Sequence, residues 1–271
     1  MTANAASEAP HLSDAQLSEV MALISEADSV ELKVTIPASE HRSTIQGLPM
    51  DPVEAQPRQV FFFETPDLAL NRAGVVVRAR RIQGGRGDTV VKLRPVVPHE
   101  LPAELRRSPS FNVEVDALPG GYVCSASYKG RSTGQDVRDA VGGTIPLHKL
   151  FSKEQRAFYE AHAPAGIDLD SLTPLGPTFI LKTRFPAEVG FRVPPAERLL
   201  VAELWLYPDG SRILELSTKC APAEAFQVAS EVRAYLAGRG VMIGGEQQTK
   251  TKAALEFFHA QLKASEGQAG G

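Results

Sequence analysis

Apolar and polar residues alternate with a period of two along several short stretches of this chain, the pattern of strands that bury one face. In residues 29–36, Glu31 and Lys33 fall on one face while Leu32 and Val34 fall on the other. This alternation predicts eight strands, at residues 29–36, 57–64, 74–83, 89–95, 110–117, 177–185, 199–207 and 211–219. The short Gly- and Pro-rich connections at 84–88 and 208–210 favour antiparallel neighbours.

Other stretches place apolar residues three or four positions apart, which predicts helices. They lie at residues 14–27, 39–47, 135–141, 152–161, 223–239 and 247–262. We expect a single domain over residues 29–260, preceded by a tail and helix over 1–28 and followed by a flexible tail over 261–271. Residues 118–176 contain too few apolar residues for a core of their own and are expected to form an insertion between strands.

The polar faces of the predicted strands carry mainly charged residues, and the two signs separate by strand. The basic pairs are Arg78/Arg80, Lys92/Arg94 and Lys182/Arg184, and the acidic residues are Glu31, Glu114, Asp116, Glu203 and Glu215. A solvated sheet face has the same period and is the commoner explanation, but it would mix small polar residues with the charged ones. Eight strands can close a barrel with helices packed outside. The favoured fold is therefore α+β, an eight-stranded antiparallel closed barrel with a charged lumen.

Composition limits the classes of function. The chain has 271 residues, 43% of them apolar, and a formal net charge of −3, which argues against a general nucleic-acid binder. No stretch reaches the ~18 to 20 apolar residues of a membrane span. The N-terminal residues also lack the plan of a secretory signal. We therefore expect a cytoplasmic protein without a membrane partner. Cys124 and Cys220 form no metal-binding or disulfide pattern and are expected to be buried.

Charges enclosed in a lumen need partners, because an unpaired buried charge is costly. Rows of Arg and Lys suit phosphate oxygens. A cluster of carboxylates suits a hard cation such as Mg²⁺ or Mn²⁺. The two together predict a metal-bound polyphosphate or nucleotide as the ligand.

A series of short motifs resembles the CYTH superfamily, the triphosphate tunnel metalloenzymes, over roughly residues 29–258. The first strand, S-V-E-L-K at 29–33, is similar to the family's E-x-E-x-K. The matching segments that follow are F-E-T-P at 63–66, V-R-A-R at 77–80, V-K-L-R at 91–94, V-E-V-D at 113–116, K-T-R-F at 182–185, I-L-E-L at 213–216 and T-K-T-K at 249–252. The order and spacing of these segments carry the resemblance. The departure is Ser29, which stands where the motif has its first Glu.

The resemblance implies a tunnel that binds a triphosphate with basic rows and a metal with carboxylates. The implied catalytic residues are Glu31 and Lys33. The implied phosphate-binding residues are Lys33, Arg78, Arg80, Lys92, Arg94, Lys182, Arg184 and Lys252, and the implied ligands of Mg²⁺ or Mn²⁺ are Glu31, Glu114, Asp116, Glu215 and Glu203. Because Ser29 removes one carboxylate, one metal position and catalysis itself are left open.

The resemblance favours a metal-dependent hydrolase that removes the terminal phosphate of an inorganic or organic triphosphate. One alternative is a cyclase that makes cyclic AMP and pyrophosphate from ATP, since only the attacking group differs. Another is a triphosphate-binding or polyphosphate-binding protein without turnover, which the loss of a carboxylate at Ser29 would explain. The expected partner is a small-molecule triphosphate and not a nucleic acid, and the chain is expected to be a monomer or homodimer.

Overall fold

The structure, a computed structural model, describes residues 13–190, 196–243 and 250–269. Nine strands are found in these ranges, β1 Ser29–Ile36, β2 Gln56–Glu64, β3 Val75–Ile82, β4 Gly87–Leu93, β5 Phe111–Leu118, β6 Gly121–Ser132, β7 Thr173–Val189, β8 Ala196–Leu206 and β9 Arg212–Cys220. They form one closed barrel in the order β1-β5-β6-β4-β3-β2-β7-β8-β9. The predicted closed α+β barrel is therefore confirmed at this level.

The prediction of eight antiparallel strands is wrong in two respects. The barrel has a ninth strand, β6, which falls inside the residues expected to form an insertion, so the insertion begins only after Ser132. In β6 small residues are buried on both faces, Ser125 and Ala126 among them, so the strand shows no alternation by which it could be recognised. In addition, β1 pairs with β5 in parallel.

The described helices are α1 Asp14–Glu26, α2 His41–Gly47, α3 Ala69–Arg72, α4 Gly134–Val141, α5 Lys153–Glu160, α6 Ala225–Gly238 and α7 Lys250–Ala269. Five of them match the predicted helices to within a few residues, and α3 was not predicted. The sixth, α7, continues to Ala269, so it extends seven residues past its predicted end and into the residues expected to form a flexible tail. The predicted start of the last helix, residues 247–249, lies outside the described residues. No helix among the described residues is long and apolar enough to cross a membrane.

The outer face of the barrel is apolar and covered by helices. One cluster joins the outward residues of β3 to β6, such as Val77 and Val113, with Phe158 of α5 and Ile24 of α1. A second cluster joins β1, β7, β8 and β9 to α6. Because the apolar positions of the strands are taken up by these outer clusters, the charged positions are left to face the lumen.

The part of the insertion after β6 is fixed to the barrel by a buried glutamine. Gln155 in the first turn of α5 accepts a hydrogen bond from Thr89 Oγ1 at 3.0 Å and donates one to the backbone carbonyl of Tyr128 at 3.1 Å. The backbone of Gly130 lies so close that a Cβ there would be 2.4 Å from the Gln155 Oε1 atom. The insertion therefore packs on the outer wall of the barrel.

Helix α7 packs against apolar side chains at one end of the barrel. Its Leu255 and Phe258 share a cluster with Phe62, Ile180 and Trp205. This contact brings the first residue of the helix, Lys250, into the lumen.

Candidate active site

The lumen of the barrel contains a cavity of about 750 Å³, and about half of the residues that line it are charged. Ten basic and five acidic side chains line it, an excess of five positive charges. The basic residues are Lys33, Arg78, Arg80, Lys92, Arg94, Lys129, Lys182, Lys219, Lys250 and Lys252, and the acidic residues are Glu31, Glu114, Asp116, Glu203 and Glu215. The predicted charged lumen is therefore confirmed, and an open solvated sheet face is excluded.

Three of the carboxylates form one group, which we call the β1/β5 group: Glu31, Glu114 and Asp116. One oxygen of each lies within 4.8 Å of the others. The parallel pairing of β1 with β5 sets Glu31 opposite Asp116 and sets Ser29 opposite Glu114, which brings the three together. Carboxylate oxygens at this spacing fit a hard divalent cation.

Cations of the protein itself contact the β1/β5 group. The Lys33 Nζ atom lies 3.0 Å from Glu31 Oε2 and 2.7 Å from Asp116 Oδ1. Burial would raise the pKa of Asp116, but Lys92, Lys33 and Arg94 outweigh it and hold this pKa well below its usual range. Burial would likewise lower the pKa of Lys33, but Asp116, Glu31 and Glu215 raise it overall. Both side chains are therefore charged at neutral pH.

Ser29, the departure from the motif, is in contact with the same group. Its Oγ donates a hydrogen bond to Glu114 Oε2 at 3.2 Å, and the Lys219 ammonium contacts that oxygen as well. The adjacent Asp28 points away, since its Oδ2 accepts from the backbone N–H of Val113 at 2.7 Å. Asp28 therefore does not replace the missing carboxylate.

The two remaining predicted metal ligands, Glu203 and Glu215, form a separate pair on β8 and β9, which we call the β8/β9 pair. The Lys250 Nζ atom lies 2.5 Å from Glu203 Oε2 and 2.6 Å from Glu215 Oε1. Lys182 contacts Glu203 Oε1 at 2.8 Å, and the Trp205 indole donates to Glu203 Oε2 at 3.3 Å. Burial would raise the pKa of Glu203, but Lys250 and Lys182 hold it well below its usual range. The structure does not bring these two carboxylates into the β1/β5 group.

The wall of the barrel that lies across from the β8/β9 pair, on β3, β4 and β6, is basic. Arg78 has no ion-pair partner among the described residues, and its Nε atom is buried without a hydrogen bond. Burial, followed by the charge of Arg80, lowers the pKa of Arg78 to about 10. Burial also lowers the pKa of Lys92 to about 8, although Asp116 opposes the change. An anion in the cavity would relieve the cost of both buried charges.

Two predicted phosphate-binding residues lie away from the centre of the cavity. Arg184 is exposed and does not line the cavity. The pairing of β7 with β2 ends at Lys182, so Arg184 lies beyond the part of β7 that pairs with β2. Lys252 lies at the rim with a side chain 70% exposed, 3.8 Å from Glu256. The other predicted site residues all line the cavity.

Three lysines that were not among the predicted phosphate-binding residues line the cavity: Lys129, Lys219 and Lys250. Lys250 lies in the same T-K-T-K segment as Lys252, so the motif was found but its inward residue was not. Lys219 continues the inward alternation of β9 from Glu215. Lys129 lies on the strand that the sequence did not reveal.

No protein-family model and no curated protein matches the chain. Solved structures do match it. A candidate adenylyl cyclase from Hippeastrum, whose description names a dominant triphosphatase activity, is 14% identical with a TM-score of 0.60, over 83% of this chain and 94% of its own. A candidate adenylate cyclase from Bacillus halodurans is 12% identical with a TM-score of 0.55, over 83% of this chain and 97% of its own. The chain therefore shares its fold with these two structures.

Proposed function

We propose that this protein hydrolyses the terminal phosphate of an inorganic or organic triphosphate that binds in the tunnel together with a divalent cation. One observation carries the proposal: the cavity has five more positive than negative side chains, yet it also contains a group of three carboxylates. A polyanion alone would need no carboxylates, and a cation alone would need no basic wall. The Hippeastrum protein of the same fold supports the proposal through its named triphosphatase activity.

The basic wall is proposed to hold the phosphate oxygens. In this wall Arg78 and Arg80 offer planar guanidinium groups that bind two oxygens each, and Lys92 acts as a point charge. Lys182 of β7 adds a second point charge from outside the wall. Arg78 is the best candidate for a phosphate-binding residue, because it has no carboxylate partner among the described residues. Arg80 is held in place by Asp88, which accepts from its Nε and Nη2 atoms at 2.9 and 2.6 Å.

The β1/β5 group of Glu31, Glu114 and Asp116 is proposed to hold Mg²⁺ or Mn²⁺. A cation there would neutralise charge on the phosphate oxygens as the terminal bond breaks. Glu31 borders the cavity, and Lys33 and Lys219 overcome the effect of burial to lower its pKa. As a carboxylate it can accept a hydrogen bond from the attacking water and orient it. Lys33 positions Glu31 and Asp116 by contacting both.

The test is a product assay on the purified protein. It is incubated with Mg²⁺ or Mn²⁺ and, in parallel, with tripolyphosphate, thiamine triphosphate and ATP, and orthophosphate, pyrophosphate and cyclic AMP are measured. We expect one orthophosphate per triphosphate consumed, dependent on metal. The Arg78→Met variant should lose most of the activity, while Lys153→Ala, which removes an exposed lysine of α5 outside the cavity, serves as a control.

Other products would point to the alternatives. The two structures of the same fold are both named as candidate adenylate cyclases, so cyclic AMP with pyrophosphate from ATP would replace the hydrolase by a cyclase. Metal-dependent binding of tripolyphosphate without any product would identify a binding protein.

A further inference from the structure

Lys219 contacts the β1/β5 group but belongs neither to the proposed metal ligands nor to the proposed phosphate-binding wall. It lies on β9 opposite Glu31 of β1, and its ammonium reaches across to contact Glu114 Oε2 on β5. The side chain is 51% exposed, so the contact lies near an opening of the tunnel. Lys219 thus contributes a fixed positive charge to one side of the three carboxylates.

Ser29 acts on the same oxygen from the other side. Its hydroxyl donates to Glu114 Oε2 at 3.2 Å, and the parallel register holds Ser29 directly opposite Glu114. One oxygen of Glu114 is therefore held by two donors of the chain. A serine hydroxyl also brings no negative charge to this point.

The charges around the group oppose the binding of a second divalent cation. Its three carboxylates already contact four cations of the chain, Lys33, Lys92, Arg94 and Lys219, so the negative charge that holds a metal ion here comes in large part from the bound triphosphate. A second divalent cation beside Glu114 would meet that ammonium at short range, with no fourth carboxylate of the group to offset the repulsion. Sites with two metals hold the ions roughly 3.5–4 Å apart and need ligands for both.

We infer that the tunnel holds a single divalent cation per chain, and that the ammonium of Lys219 on Glu114, with Ser29 beside it, excludes a second one. This inference rests on the proposed metal-dependent function. Lys219 and Ser29 are positioning residues in this scheme, since they act through Glu114. Restoring a carboxylate at position 29 and removing the ammonium at position 219 should open a second site.

The test counts the metal ions. Equilibrium dialysis of the full chain with Mn²⁺ and the non-hydrolysable imidotriphosphate, against a compartment without protein, gives bound manganese and phosphorus per chain. We expect one Mn²⁺ and one triphosphate for the native protein, and two Mn²⁺ and one triphosphate for the double variant Ser29→Glu with Lys219→Ala. Electron paramagnetic resonance adds a second readout, because two neighbouring Mn²⁺ ions couple and change the spectrum of a single ion.

Two control variants separate the role of Lys219 from a general loss of positive charge. Lys219→Arg keeps the cation and should keep a count of one. Lys129→Ala removes a lysine from the same cavity that has no ion pair with the three carboxylates among the described residues, and it should also keep a count of one. Because Lys219 is half exposed and Ser29 is partly exposed, these substitutions are expected to leave the barrel folded, which circular dichroism checks.

The outcomes are distinct. Two Mn²⁺ in the native protein would overturn the inference and leave the proposed function standing. A double variant that binds the triphosphate with only one Mn²⁺ would show that Lys219 and Ser29 do not exclude the second ion. A native protein that binds the triphosphate without any Mn²⁺ would contradict the proposed metal dependence together with the inference.

Discussion

The tunnel contains two sets of carboxylates that differ in what neutralises them. In the β8/β9 pair, Glu203 and Glu215 share the Lys250 ammonium, and Glu203 also contacts Lys182. In the β1/β5 group three carboxylates face the cavity, and their cations come from the barrel strands. The first set shares a lysine that a separate helix supplies, whereas the second has three carboxylate oxygens close enough together to hold an ion. The number of acidic residues therefore does not by itself define a metal site.

The origin of each cation explains the difference. Lys250 is the first residue of α7, so its ion pairs form only when the helix packs on Trp205 and Ile180 at the end of the barrel. The β8/β9 pair thereby links a terminal helix to the lumen. A buried ion pair of this kind contributes little net stability, but breaking one partner away is costly. We therefore expect changes in the β8/β9 pair to affect mainly stability, and changes in the β1/β5 group to affect mainly metal binding and catalysis.

The largest effect is expected from Asp116→Asn. Asp116 is 1% exposed and faces Lys33, Lys92 and Arg94 at 2.7, 3.5 and 3.6 Å. Its neutralisation should lower kcat/KM by about 10³-fold, the scale of losing a preorganised electrostatic group, and should weaken Mn²⁺ binding at least about 100-fold. Steady-state kinetics and dialysis with Mn²⁺ measure the two effects.

Glu203→Gln is the matched control for Asp116→Asn, because it also neutralises a buried carboxylate of the tunnel that faces more than one lysine. It should lower the unfolding midpoint. The affinity for Mn²⁺ should stay within about threefold, a change of less than 1 kcal/mol, because Glu203 lies outside the β1/β5 group. Loss of Mn²⁺ binding in both variants would mean that the two sets act as one metal site.

Lys250→Met comes next and tests the structural role of the β8/β9 pair. The substitution leaves Glu203 and Glu215, which lie opposite each other in the sheet, without their shared cation. It should lower the free energy of unfolding by about 3–5 kcal/mol, the usual cost of an uncompensated buried charge. Denaturant unfolding measures this. An unchanged stability would show that α7 docks without the ion pairs.

Arg78→Met tests a cation that neither set of carboxylates neutralises. Triphosphate binding should weaken about 10- to 100-fold, the value of one or two charge-assisted hydrogen bonds, as measured by calorimetry. Stability should stay the same or rise, because an unpaired buried charge is removed. Arg80→Met, in contrast, should lower stability, since it leaves Asp88 without its partner. A loss of stability in Arg78→Met would contradict the assignment of Arg78 to a ligand.

These comparisons also show what the sequence could and could not predict. Alternation correctly assigned Arg78, Lys92 and Glu203 to one inner face, because a strand places every second side chain on the same side. It could not reveal β6, whose small residues are buried on both faces. The parallel pairing of β1 with β5 is a long-range contact that leaves no mark on the local pattern of either strand.

The sequence could not predict which lysine of α7 enters the tunnel, for a different reason. Whether Lys250 or Lys252 points inward depends on how α7 is rotated where it docks on the barrel. The division of the carboxylates into two sets could not be predicted either, since the sequence placed all five in one lumen as metal ligands. The cations that separate the sets come from residues far away in the chain.

The pH dependence of stability tests the part that Lys250 plays in the β8/β9 pair, with a smaller effect. The pKa of Glu203 is lowered from its usual value near 4.5, because Lys250 and Lys182 outweigh the effect of burial. The unfolded chain therefore binds a proton below about pH 4.5 that the folded chain does not, and stability falls as the pH falls. One such group contributes at most about 1.4 kcal/mol per pH unit. Lys250→Met should make the fall of stability between pH 5 and 3 shallower, as acid-unfolding series measure. If stability falls with pH equally steeply in the native protein and in Lys250→Met, the assignment of this pH dependence to Glu203 would be contradicted.

The smallest effect is expected from Lys252→Ala, which distinguishes two lysines only two residues apart. On a helix such residues point to nearly opposite sides, and the Lys252 side chain is 70% exposed with a 3.8 Å contact to the equally exposed Glu256. An exposed pair of this kind contributes little. The free energy of unfolding should change by less than about 0.5 kcal/mol, and triphosphate affinity by less than about threefold. If calorimetry instead shows that triphosphate affinity falls as much as in Arg78→Met, Lys252 contacts the ligand from the rim. In that case the phosphate-binding role implied by the sequence motif would hold for Lys252 as well as for the cavity wall.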